Sequence, residues 1–289
     1  MKELSKDEEI VRRNLKAKPD IINPTDKLLN TLKSYEKLRI AEKDYGVHSM
    51  KIEDAIYDAK NFLHYYYKLH KVNTICIYKL LNYQIHLGRK IDPLKLPINL
   101  IKSNDIFSAS LTEIFPKDND PIIFYEVNLN KQSTEQTSTS YVHEITHTQV
   151  DSLKGSLEEY YNFEVLSIFN ELFHASILDK DERILRLNDS RRIYEMSITA
   201  QELRKNFEGK NNMDRNKLLD CCKYLISDLK AYDLFVTFYN ANNSVKNEIL
   251  DDVQSVFDGL ITVEELLAKY DVTLDSVEDS PKMLKYFKR

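Results

Sequence analysis

Tyr141-Val-His-Glu-Ile-Thr-His147 holds His143, Glu144 and His147 in a His-Glu-x-x-His pattern, and the rest of the chain is read outward from it. Residues four apart on a helix stand one above the other on the same face, so both imidazoles can reach one cation while Glu144 projects beside them toward a bound water. Zinc accepts neutral imidazole, and a hydrolytic zinc site keeps three protein ligands and an open position for water. Glu144 is then the expected general base, His143 and His147 the expected metal ligands. The plain alternative is a surface helix carrying two solvated histidines. At this composition a chance match to the pattern is on the order of 1%.

A third ligand is suggested by Phe163-Glu-Val-Leu-Ser-Ile-Phe-Asn-Glu-Leu172, an apolar stretch in which Glu164, Ser167, Asn170 and Glu171 recur at steps of three and four. Such residues share one helical face. A carboxylate stripe on a core-like helix requires a partner, since burying an unpaired carboxylate is costly and a metal is one of the few groups that compensates it. Glu164 is the expected third ligand. The competing ligand is Asp151, four residues beyond His147 but a turn past a natural coordination position. An amphipathic helix with its polar stripe in solvent is the reading without a metal.

These two stretches resemble the zinc peptidases of the thimet oligopeptidase and oligoendopeptidase F family. There a His-Glu-x-x-His helix is followed by a second helix with the pattern Glu-x-x-Ser-x-x-x-Glu, matched by Glu164, Ser167 and Glu171, and the Asn170-Glu171 pair is similar as well. The resemblance implies a mainly α fold, a helical zincin-like catalytic core with a small β-hairpin or sheet beside the active-site helix. It makes Glu164 the third zinc ligand and Glu171 a supporting carboxylate. Two departures are local: Thr146 stands where the family has glycine, and the link from Gln149 to Tyr161 is shorter. A third concerns the chemistry, because the family places a histidine and tyrosines downstream and no histidine follows His174. Tyr224 or Tyr232 is the expected oxyanion donor, although packing is the commoner role for any one of the 18 tyrosines. The likeness runs loosely over 121–285, and its specific motifs cover only 141–147 and 164–171. Family members are much longer, which implies a compact version with a more open cleft.

Composition agrees with a helical fold. The 289 residues are 42% hydrophobic and 30% charged, with five glycines, seven prolines and no tryptophan. That is enough chain for one large domain or two joined ones, divided as 1–105 and 106–289 where the pattern changes from helical to mixed. A net charge of −5 with interspersed signs excludes a general nucleic-acid binder. Cys76, Cys221 and Cys222 lack the spacing of a disulfide framework. No apolar run approaches the roughly 20 residues of a membrane span, and the polar start does not open a signal peptide, so a cytoplasmic protein is expected.

The remaining elements follow from caps and breakers. Helices are expected over 26–45, from about 49 or 51 to 71, over 73–87 with Gly88 as cap, over 179–207 and over 218–239. Thr262 and Glu265 form a capping box ahead of a short helix near the end of the chain. Residues 91–100, with Pro93 and Pro97, should be extended or irregular, and Pro121–Leu129 reads as a strand with a partner offered by 105–115. Ser138, Thr139 or Ser140 should cap the metal-motif helix. His64, His70 and His174 are expected to pack or face solvent. The activity implied is zinc-dependent hydrolysis of peptide bonds in oligopeptides or exposed protein segments, with peptide or protein as partner and neither nucleic acid nor membrane. The alternatives are an inactive relative that binds peptides or proteins, and a helical interaction protein in which the motif is accidental.

Overall fold

The computed structural model describes residues 24–30, 32–33, 51–74, 89–96, 98–101, 109–114, 122–128, 134–150, 162, 164–178, 180–273 and 286. These residues are mainly helical. Helix α1 spans Ile52–Tyr66, α2 Thr134–His147, α3 Val165–Leu178, α4 Arg183–Phe207, α5 Arg215–Asn240, α6 Asn243–Phe257 and α7 Val263–Lys269. Residues 26–30 and 32–33 are helical as well, and the rest of the helix expected to reach 45 lies outside the described residues.

Helix α3 is the centre of the molecule, because every residue from Val165 to Ala175 is buried. Its apolar residues, among them Phe169 and Phe173, pack on Phe238 of α5 with ring centroids 5.5 and 4.6 Å apart. Fully burying one such ring stabilises the fold by about 1.5–3 kcal/mol. Around α3 lie α2, α4 and α5, while α1 packs on α2 and also reaches α3, with the Phe62 ring 5.0 Å from that of Phe173. Leu28, Phe62 and Tyr67 share one core with Tyr141, Phe169 and Phe235, so residues from both sides of position 105 are packed together.

Among the described residues, five short strands lie between α1 and α2. Strand β1 (Val72–Thr74) pairs antiparallel with β2 (Arg89–Ile91). Strands β3 (Ile98–Ile101), β4 (Ala109–Ile114) and β5 (Ile122–Asn128) form a sheet in the order β3-β5-β4, with β3 parallel and β4 antiparallel to β5. Edge strand β4 packs beside α2. Between β2 and β3 a single 3-10 turn at Pro93–Lys95 is capped by Asp92, whose carboxylate accepts from the Leu94 amide at 2.9 Å.

Two expectations are corrected here. The stretch taken as a helix over 73–87 opens instead in strand β1, where β-branched Val72 and Thr74 pair with Ile91 and Arg89. Its remainder, Cys76 and Gly88 lie outside the described residues. The second concerns Ser138, Thr139 and Ser140, which are buried inside α2 rather than capping it. Their hydroxyls are satisfied there: Thr139 donates to the Gln136 carbonyl at 3.1 Å, and Ser138 lies 2.8 Å from His174 Nε2.

Further along, Asp214 caps α5 through the Lys217 amide, and Asn242 caps α6 through the Val245 amide. The capping box at Thr262 and Glu265 has both of its reciprocal bonds. Cys222 is buried, and neither it nor Cys221 is joined in a disulfide. No described helix is long and apolar enough to cross a membrane.

Candidate metal centre

The polar stripe of α3 faces α2, not solvent, and each of its members meets a polar residue of that helix. Ser167 Oγ lies 3.1 Å from His147 Nδ1, and Asn170 Nδ2 donates to Thr146 Oγ1 at 3.2 Å. His143 Nδ1 lies 3.1 Å from Glu171 Oε2, and His174 meets Ser138. The two helices therefore run antiparallel with a polar seam in an apolar surround. Thr146 is held in it by donating to the Val142 carbonyl at 2.8 Å, while Tyr67 closes the seam from outside by donating to Asn170 Oδ1 at 2.6 Å.

At the open end of this seam, His143, His147 and Glu164 converge. Their Nε2 atoms are 3.1 Å apart, and Glu164 Oε2 is 3.3 Å from His143 Nε2 and 3.1 Å from His147 Nε2. Three donors each about 2.0–2.1 Å from a tetrahedral ion must stand about 3.4 Å from one another. The observed triangle has nearly that size. Among the described residues this is the group of three whose ligand atoms could hold a metal ion.

The environment fixes which atoms point inward. Glu171 is an acceptor, so the His143 proton belongs on Nδ1 and its Nε2 lone pair faces the triangle. With Ser167 at Nδ1, His147 can adopt the same tautomer. Glu164 precedes the first turn of α3, and its carbonyl accepts from the Ile168 amide at 2.9 Å. A carboxylate there is favoured by the positive end of the helix. Burial alone would push the Glu164 carboxyl up, but His147, His143 and Lys223 together hold it well below the ordinary range. Burial likewise lowers His143, yet Glu164 and Glu171 more than offset this and lift it to about 10. The histidine side chains keep 14% and 12% exposure, so an ion can reach them from one side.

Behind these three residues stands a buried ionic group. Arg192 of α4 donates to Glu171 Oε2 and, at 2.9 Å, to Asp228 Oδ1 of α5. Arg191 adds a longer contact of 3.6 Å to Glu171 Oε1. This is the arrangement in which a ligating imidazole is oriented by a carboxylate that is itself held. Burial raises the Asp228 carboxyl to about 7 against the pull of Arg192. On the ligand side of α5, Lys223 Nζ lies 3.4 Å from Glu164 Oε1.

The remaining expected site residues fall differently. Glu144 is partly exposed on α2 between the two histidines. Tyr224 is 49% exposed next to Lys223, whose ammonium is 4.5 Å from its ring centroid. Burial and the nearby Glu164 charge raise the phenol, so it stays a hydrogen-bond donor. Tyr232 lies in the core and donates to Asp189 Oδ1 at 2.9 Å. Asp151 lies outside the described residues. His174 is buried against Phe62, and burial lowers it to about 3, so it is neutral. His64 is exposed, and His70 pairs with Asp258 at 2.8 Å.

Sequence reasoning missed Arg192 and Lys223. A signal for the first was available, since Asn188, Asp189 and Arg192 share a face of α4 with Leu185, Met196 and Leu203. For Lys223, among the many lysines of the chain, there was none.

Because Glu164 and Glu171 raise His143 to about 10, an ion bound at its Nε2 would have to displace a proton. Zinc affinity should therefore rise with pH, by about tenfold per unit across the neutral range. Zinc titrations in two buffers of different ionisation enthalpy check this by the proton released. Compared with protein-family models, with curated proteins and with solved structures, the chain matches none.

Proposed function

We propose that the protein is a zinc-dependent peptidase that hydrolyses peptide bonds in oligopeptides or exposed protein segments. The observation that carries this reading is the triangle of His143 Nε2, His147 Nε2 and Glu164 Oε2, whose sides are 3.1 to 3.3 Å, with Glu144 adjoining it. Two imidazoles and one carboxylate are a donor set that suits zinc and leaves one position for water. When bound, zinc would supply Lewis acidity toward that water and toward the scissile carbonyl.

The chain's own residues supply the rest. Glu144 takes the proton of the attacking water and delivers it to the leaving amine. Glu171, held by Arg192, fixes the ring of His143, and Ser167 does the same for His147. Tyr224, half exposed beside Lys223 and Glu164, is the tyrosine assigned to the developing oxyanion, since the hydroxyl of Tyr232 is committed to Asp189 in the core. Among the described residues β4 lies at the sheet edge beside α2, where an extended substrate can pair with its backbone. This reading keeps the resemblance to the thimet oligopeptidase and oligoendopeptidase F family as its source for the helical zincin-like architecture and for the peptide as substrate.

Metal content of the purified protein tests the site. Near-stoichiometric zinc in the parent, lost in both His143→Ala and Glu164→Ala, is the expected result. A parent that takes up no zinc when supplied with it would refute the reading and leave a helical binding protein.

A further inference from the structure

Glu164 uses its two carboxylate oxygens differently. Oε2 faces both histidines at 3.3 and 3.1 Å, whereas Oε1 faces Lys223 Nζ at 3.4 Å. Lys223 is well covered, with 12% of its side chain exposed, so its ammonium is not simply a solvated head resting nearby. Its surroundings hold it in place. Its ammonium lies 4.5 Å from the Tyr224 ring centroid, and about two helical turns further along α5 Lys230 donates to Asn162 Oδ1 at 2.8 Å. Two lysines seven residues apart on α5 thus hold Asn162 and Glu164, both just ahead of α3.

A ligand carboxylate free to rotate can offer an ion one oxygen or two. Offering two fills a coordination position that a hydrolytic site needs for water. An ammonium fixed on Oε1 opposes this, because turning that oxygen toward the ion would break a charge-assisted contact in a poorly solvated place.

We propose that Lys223 is a positioning residue that holds Glu164 to one-oxygen coordination and so keeps a position on the metal open. The inference rests on the metal site proposed above and concerns the way in which Glu164 binds. Metal affinity discriminates poorly, since losing Lys223 loosens the ligand but also removes a competing positive charge. Coordination number discriminates well.

The experiment is cobalt(II) substitution followed by visible spectroscopy on the full chain. The parent should show the strong visible bands of a four-coordinate ion, and Lys223→Arg, which keeps the charge, should match it. Lys223→Met should bind cobalt with weaker, shifted bands, reporting a higher coordination number as Glu164 contributes both oxygens. Lys223→Gln, neutral and shorter, should shift in the same direction and decides the matter if Lys223→Met does not fold. Cobalt spectra of the neutral variants superimposable on the parent's would overturn the role of Lys223 while leaving the metal site intact. A parent that binds no cobalt would overturn the site itself, and this inference with it.

Discussion

Glu144→Gln is expected to lower peptide hydrolysis by roughly 10²–10⁴-fold, the usual worth of a positioned general base, while metal content stays at the parent level. The separation follows from the geometry. The metal triangle is closed by His143, His147 and Glu164, and Glu144 is not one of its corners. Nor does the buried ionic group use it, since His143 is oriented by Glu171 and Glu171 by Arg192. Glutamine has the same length and can still hydrogen-bond a water, but it cannot take a proton from it. Single-turnover hydrolysis of a mixed peptide library, run alongside elemental analysis, reads both quantities at once. A variant as active as the parent would remove Glu144 from the mechanism. Full metal occupancy with no hydrolysis even by the parent would favour the inactive, peptide-binding reading, which the lack of any histidine after His174 already makes specific.

How far the site could be read from the sequence depended on how local its parts are. His143 and His147 lie one helical turn apart, so a helix is all that is required to bring them together. Glu164 was legible for a different reason: Ser167, Asn170 and Glu171 mark a polar stripe on a helix too apolar to be a surface one, and the structure buries all of them against α2. The partners of that stripe were not legible residue by residue, because antiparallel register between two helices is set by packing. The groups that hold this triangle were least visible. Arg192 and Lys223 come from helices 20 to 60 residues further along, where charged residues are frequent and most of them face solvent.

The same limit explains the errors in the fold. Ser138, Thr139 and Ser140 have the chemistry of helix caps, and only a neighbouring helix with His174 on it gives Ser138 a reason to be interior. Val72–Thr74 adjoins a stretch whose residues suit a helix, and its pairing with Arg89–Ile91 depends on a contact across the intervening chain. By contrast, the helices over 183–207 and 215–240 and the capping box at Thr262 rest on local periodicity and local hydrogen bonds, and they were legible.

Arg192→Met should cost about 3–5 kcal/mol of folding stability, because it breaks a buried ionic group from its centre. Arg192 bridges Glu171 and Asp228, which are both buried, and a methionine of similar volume leaves two carboxylates facing one another across an apolar side chain. Arg191, at 3.6 Å from Glu171, relieves one of them only in part. The deficit should depend on pH with a definite sign. A carboxyl whose pKa is higher folded than unfolded stabilises the fold while protonated, and that contribution is lost as pH rises through the folded value. Asp228 already sits at about 7 with Arg192 beside it, above its ordinary 3.8, and removing the guanidinium raises it further. Urea unfolding should therefore show a smaller deficit at mildly acidic pH than at mildly alkaline pH. Adding Asp228→Asn should recover part of the loss, since removing both members of a buried pair costs less than stranding one. The orientation of His143 would also relax, weakening zinc binding by about 10–100-fold. A stability loss below about 1 kcal/mol, the same at both pH values, would mean that Arg192 carries no buried charge and that His143 is oriented without it.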